Sequence, residues 1–143
     1  MTLEGYDVCS LVYTLLVADS GPGGVATLLG GRIYQDVVPQ AAALPAATVS
    51  LVAAPDTNTL GGVHVGATID VDVRVVAAGT SYAPILPAAR RAQVVLAEAY
   101  GTNGESYAYR LRRIDFRRMA ESDAGAPYRH LIGTYRTEAH PAP

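Results

Sequence analysis

The sequence predicts an α+β fold: one domain spanning residues 1–143, with a mostly antiparallel twisted sheet, helices packed on one face and a projecting hairpin. Three observations predict it. Residues 63–75 alternate apolar and polar side chains without a break, which is the period of a half-buried strand. Segments 6–19 and 82–100 carry apolar residues at helical spacing instead. The resulting order of helix, strands, helix, strands gathers the helices on one side of an antiparallel sheet. With 143 residues, such a domain has a radius of gyration of ~14–15 Å. It buries roughly 68% of its extended-chain surface, enough to need no disulfide or metal staple.

In chain order, Tyr6 to Asp19 reads as an amphipathic helix whose stripe is Val8, Leu11, Val12 and Leu15. Ser20-Gly21-Pro22 supplies its stop, Gly by accepting a left-handed cap and Pro by refusing to extend. Val25 to Leu29 adds a helical turn that Gly30-Gly31 breaks. Ile33 to Val37 is a short strand, and a proline-punctuated loop then leads to a second strand, Ala46 to Ala54. Asp56 to Gly62 is a polar turn suited to a hairpin. The long strand follows, with Val63, Val65, Ala67, Ile69, Val71, Val73 and Val75 toward the core and Asp70, Asp72 and Arg74 on the other face. From Val65 to Val75 it extends about 36 Å, so part of it is expected to project as an arm.

The second helix is expected over Tyr82 to Tyr100. Ile85, Ala88, Ala89, Ala92, Val95, Leu96 and Ala99 form a face of mostly small residues, with Pro84 and Pro87 in the first turn, where a missing amide donor costs least. Gly101 ends it, and the turn around Asn103-Gly104 opens a strand from Tyr107 to Arg118. After a loop over Glu121 to Pro127, a last strand runs from Tyr128 to about Thr137, leaving 138–143 as a frayed tail.

Composition narrows the function. The net charge of −2 argues against general nucleic-acid binding. It is unevenly spread: residues 1–81 hold two Arg and seven acids, whereas residues 82–143 hold nine Arg and six acids. Every basic residue is Arg, the side chain best suited to bidentate, weakly hydrated protein contacts. The single cysteine, Cys9, permits no intrachain disulfide, which fits assembly in the cytoplasm. The N-terminus has no basic signal-peptide region, and no apolar run reaches membrane-spanning length.

No catalytic or cofactor set emerges. Asp70 and Asp72 share a strand face and could in principle hold Mg²⁺, but with no third ligand or lysine beside them the reading is a charged face shared with Arg74. His64, His130 and His140 are scattered without zinc-ligand spacing and read as surface residues. Cys9, beside the apolar stripe, reads as packing. Gly21-Pro22-Gly23-Gly24 follows a helix and lacks a phosphate-loop lysine, so it is a turn. No metal or cofactor is therefore expected. The remaining feature is an arginine run, Arg110, Arg112, Arg113, Arg117 and Arg118, interleaved with Tyr107, Tyr109 and Phe116. Strict alternation places Arg110, Arg112 and Arg118 on one face and Arg113 and Arg117 on the other, unless a bulge intervenes. Acids at 115, 121 and 123 interrupt it, which favours a protein contact over DNA.

One stretch stands apart: Gly30-Gly31-Arg32-Ile33-Tyr34, then Pro39, Leu44-Pro45 and Thr48-Val49-Ser50-Leu51. It resembles the signature of the phage tail-completion family, the tail terminators of long-tailed phages. The long strand, the second helix and the closing Tyr128-Arg129-His130-Leu131 are similar too, while Gly21 to Gly24 and the proline-containing helix start depart from the pattern. The resemblance implies a non-enzymatic virion protein forming a ring, hexameric in the family, at the head-proximal end of the tail tube. Its implied partners are other copies of itself, the tube protein and a head-side connector or stopper protein, with DNA only passing through and no membrane. Its implied place is the neck of a virion assembled in the host cytoplasm. Within this picture, Asp70, Asp72 and Arg74 against the arginine run form the candidate contact between subunits. The alternatives are a head-completion or stopper protein of the neck and, from another class, a non-viral α+β binding domain.

Overall fold

The computed structural model describes residues 3–141. Its elements are α1 (Glu4–Ala18), α2 (Val25–Leu28), β1 (Ile33–Gln35), β2 (Ala46–Ala53), β3 (Asp56–Asn58), β4 (His64–Ala78), α3 (Leu86–Leu96), β5 (Gly101–Asn103), β6 (Ser106–Ala108), β7 (Arg112–Asp123) and β8 (Ala126–Pro141). All eight strands join one sheet in the order β1-β2-β4-β8-β6-β5, with β3 pairing the start of β4 and β7 pairing β8. Only β1 and β2 run parallel. The predicted α+β class and antiparallel sheet are what the chain forms.

β4 and β8 are the spine, paired without interruption from Ala67↔Ala139 to Ala78↔Tyr128. Alternation sends Ile69, Val71, Val73 and Val75 of β4 to the helix side, where they are buried with Leu131 and Tyr135 of β8 and Val49 of β2. α1 covers this face with Val8, Val12 and Leu16; Leu11 and Leu15 are only half-buried, so the stripe lies slightly round from the expected one. α3 adds Ala88, Ala92 and Leu96, with Ile85 buried just ahead of it. Small residues on α3 bring it close enough for Gln93 to accept a hydrogen bond from the Tyr135 hydroxyl at 2.8 Å.

Several boundaries differ from expectation, each for a local reason. α1 stops at Ala18, with Asp19 rather than Gly21 as its cap, donating its backbone N–H to the Leu16 carbonyl at 3.3 Å, while its carboxylate ties the turn to α2 and α3 by accepting from the Val25 N–H at 2.8 Å and the Arg91 guanidinium at 2.8 and 2.9 Å. The left-handed residue of that turn is Gly23. β1 ends at Gln35 because Asp36 is itself left-handed (φ 67°). α3 starts only at Leu86, leaving Pro84 outside, and Glu98 (φ 59°) turns the chain before Gly101 is reached. The expected loop over Glu121 to Pro127 is the end of a β7–β8 hairpin turning at Ala124 and Gly125, both left-handed.

The expected frayed tail is strand as far as Pro141, because β6 pairs there with β8: Ser106 with Pro141 and Tyr107 with His140. Residues 142 and 143 lie outside the described residues. At the other end of the spine, Val63 and Val65 are exposed (64% and 44%) where a core position was expected; a register shift against β3 between Thr57 and Asn58 leaves Val65 as an extra residue and breaks the alternation there.

Candidate assembly interface

The residues that form the signature stretch are architectural. β1 lies parallel to β2, pairing Ile33 with Ala47 and Gln35 with Val49. Adjacent parallel strands need a connection that recrosses the sheet, and residues 36–45 make it. Arg32 ties its far end by donating from Nε to the Pro45 carbonyl at 2.9 Å, beside a cis Leu44–Pro45 peptide. This crossover lies over the sheet face away from the helices, opposite Thr48, Ser50, Asp72, Arg74 and Val76. Between loop and sheet it leaves a groove of about 700 Å³.

That second face carries Asp70, Asp72 and Arg74, as the alternation predicts. The structure gives both acids partners within the chain. Arg136 of β8, directly opposite, grips Asp70 with Nε and Nη2 at 2.8 and 2.9 Å. Asp72 accepts from the Thr134 hydroxyl at 2.5 Å and from Arg117 of β7 at 3.3 Å, while Arg117 also donates to Asp115 at 2.9 Å. The result is a charged ladder across three strands. Arg74 has no carboxylate partner among the described residues.

The arginine run is divided differently from strict alternation. A bulge between Arg113 and Asp115 inserts Ile114, so the phase flips in mid-strand. Arg112, opposite Arg136, and Arg117, opposite Ile132, share the second face. Arg113 and Arg118 point to the helix side, where Arg113 lies over the Phe116 ring at 5.0 Å and Arg118 over Tyr82 at 5.5 Å. Arg110 precedes the strand and meets the exposed Glu98 at 3.5 Å. β7 is exposed along nearly its whole length on both faces, and the edge turned away from β8 has no strand beside it. The bulge and alternating charges are devices that keep such an edge from indiscriminate pairing. They also leave it available to a matched surface.

The histidines divide as well. His64 Nε2 lies 2.7 Å from the buried Glu4 carboxylate, and this hydrogen bond raises its pKa, helped by Asp56. His130, expected at the surface, is buried at 6% exposure in the lining of the groove. Burial, then the Arg74 charge, lowers its pKa against the opposing Glu121, whose carboxylate is 3.4 Å from Nε2. That contact is too poorly aligned to be a hydrogen bond, and among the described residues neither ring nitrogen has a well-formed one. The sequence signal that could have found it was its place two residues before Ile132 on a strand whose alternate positions pack. Cys9 is buried as expected, and burial pushes its thiol up to about 11, which suits packing and not nucleophilic chemistry. Among the described residues, no three His, Cys, Asp or Glu side chains converge as a metal site.

A family model described as Tail completion protein gp17 matches residues 11–132. Among solved structures, a chain from "Virion of native gene transfer agent (GTA) particle" superimposes with a TM-score of 0.76 at 21% identity, over 98% of this chain and 99% of that one. At that identity the likeness concerns the fold. No curated protein matches the chain.

Proposed function

The chain belongs to the tail completion protein gp17 family, and from that premise we propose that it closes the head-proximal end of a phage tail tube as a hexameric ring. It is a structural protein of the tail rather than an enzyme on this reading. A tube grows because each ring accepts the next, so a terminator needs one face complementary to the tube and another that rejects more tube protein. The second face then joins the head side of the neck. The observation that carries the reading is the family match over residues 11–132.

The fold supports it physically. A ring of identical subunits needs two unlike patches on one chain. The subunit has a charged second face at one place and an exposed, arginine-bearing edge strand at another. Because Asp70 and Asp72 are matched within the chain, the cations open to a neighbour on the second face and β7 include Arg74, Arg110 and Arg112, together with the exposed parts of Arg113 and Arg118. Contacts that are individually weak close the ring when the tube end holds neighbours at high effective concentration.

Phage assembly without this protein is expected to give overlong, unattached tubes beside DNA-filled heads in electron micrographs. Tails of normal length beside emptied heads would overturn the terminator reading in favour of a neck stopper.

A further inference from the structure

The groove under the 36–45 crossover has polar capacity that the chain itself leaves unmet. Asp36, Glu121 and Asp123 stand exposed on its lining and outnumber the half-buried Arg74 there, and among the described residues none of the three forms an ion pair with an arginine. Inside, His130 is buried and its ring nitrogens make no well-formed hydrogen bond among the described residues, the Glu121 carboxylate standing 3.4 Å from Nε2, although buried polar groups are nearly always satisfied. Val37 and Leu44 supply apolar wall. A groove of this make-up fits an extended, cationic segment: donors for the exposed carboxylates, and aliphatic stems for the wall.

The same chain displays such a segment. Among the described residues, the exposed Arg112 has no ion-pair partner and Arg110 has only the loose contact to Glu98. They lie at one end of β7, while Glu121 and Asp123 lie at the other, about 30 Å away along the strand. One subunit therefore cannot bring the two ends together, but a row of subunits placed head to tail can. We infer that the acidic groove of one subunit receives the Arg110–Arg113 end of β7 from the next, with Arg112 set between Glu121 and Asp123 beside His130. The inference rests on the ring reading above and adds the contact that closes it. Arginine suits this place because its planar fork engages two carboxylates at once.

Charge reversal tests it in assembling particles. Arg112→Glu and Glu121→Arg are each expected to lower ring occupancy at tube ends by about tenfold, and the double variant to restore it, since only together do they rebuild the opposite-charge contact. Arg112 is exposed and has no ion-pair partner among the described residues, so Arg112→Glu should leave the melting of the isolated protein unchanged. A second measurement uses Arg112→Cys with Glu121→Cys in assembled particles under mild oxidation. A disulfide needs Cα atoms within about 7 Å, so any bond between these positions joins two subunits. A head-to-tail contact gives a covalent ladder extending beyond the dimer. Rings present with no ladder, or with covalent dimers only, would overturn the groove contact and leave the ring reading standing. Wild-type particles lacking rings would overturn the ring reading itself, and the contact with it.

Discussion

The two faces of one sheet, made by the same strands, obey different rules. On the helix side, Ile69, Val71, Val73 and Tyr135 are buried under α1 and α3 and held by packing. One residue over in each strand, the half-exposed Asp70, Asp72 and Arg136 and the buried Thr134 form a ladder held by directional contacts. Packing tolerates no charge and little change of volume. The arginine rungs tolerate exchange better, because water competes with the contacts of the half-exposed Arg117 and Arg136. A sheet built this way fixes its own fold with one face and leaves the other free to be shaped by partners.

Predictions can break that contrast or sharpen it. The largest effect is expected for Ile69→Asp, which buries an uncompensated carboxylate among aliphatic side chains at a cost of about 5 kcal/mol or more, comparable to a domain's whole stability. Circular dichroism should show no cooperative melt. Thr68→Lys, on the neighbouring position opposite Glu138, should melt like the parent. Equal melts for the two variants would mean that β4 is faced the other way.

Next comes Tyr135→Phe, which removes the hydroxyl bonded to Gln93 while keeping the buried ring. Urea titration should register a loss of about 1 kcal/mol. Burial pushes this phenol up to about 12, so the loss should be unchanged across neutral and mildly alkaline pH. A smaller value is expected for the ladder. A double-mutant cycle on Asp70→Asn and Arg136→Met should give a coupling of roughly 1 kcal/mol or less, since Arg136 is 40% exposed, and it should shrink in salt. A coupling above that of the Tyr135 bond would erase the distinction between the faces.

The subtlest test uses the two histidines. His64 has a raised pKa in the folded state, so its contribution is full below 6.5 and is lost as pH rises through the raised value. His130 has a lowered one, so its contribution is full above 6.5 and is lost as pH falls through the lowered value. Melting temperature should therefore peak near neutrality. His64→Gln should flatten the alkaline side alone and His130→Gln the acid side alone. Identical profiles for both variants would show that neither imidazole is placed as described.

The sequence by itself determined the elements whose cause is local. The alternation through Ile69 to Val75 determined a strand and its buried side, the spacing of Ile85, Ala88, Ala92 and Leu96 determined a helix face, and Gly30 to Leu51 carried the family. The candidate interface was legible only as a set of charges. Which of them are already matched was decided by register, since Asp70 meets Arg136 across 66 residues and Asp72 meets Arg117 across 45. The bulge at Ile114 likewise reassigned the arginines, because one inserted residue flips every side chain after it and composition around it hardly changes. His130 looks like any other histidine in the chain until the 36–45 crossover is laid near it. Period and propensity act over a few residues and can be read from them, whereas partners, burial and the groove depend on strands brought together from distant parts of the chain.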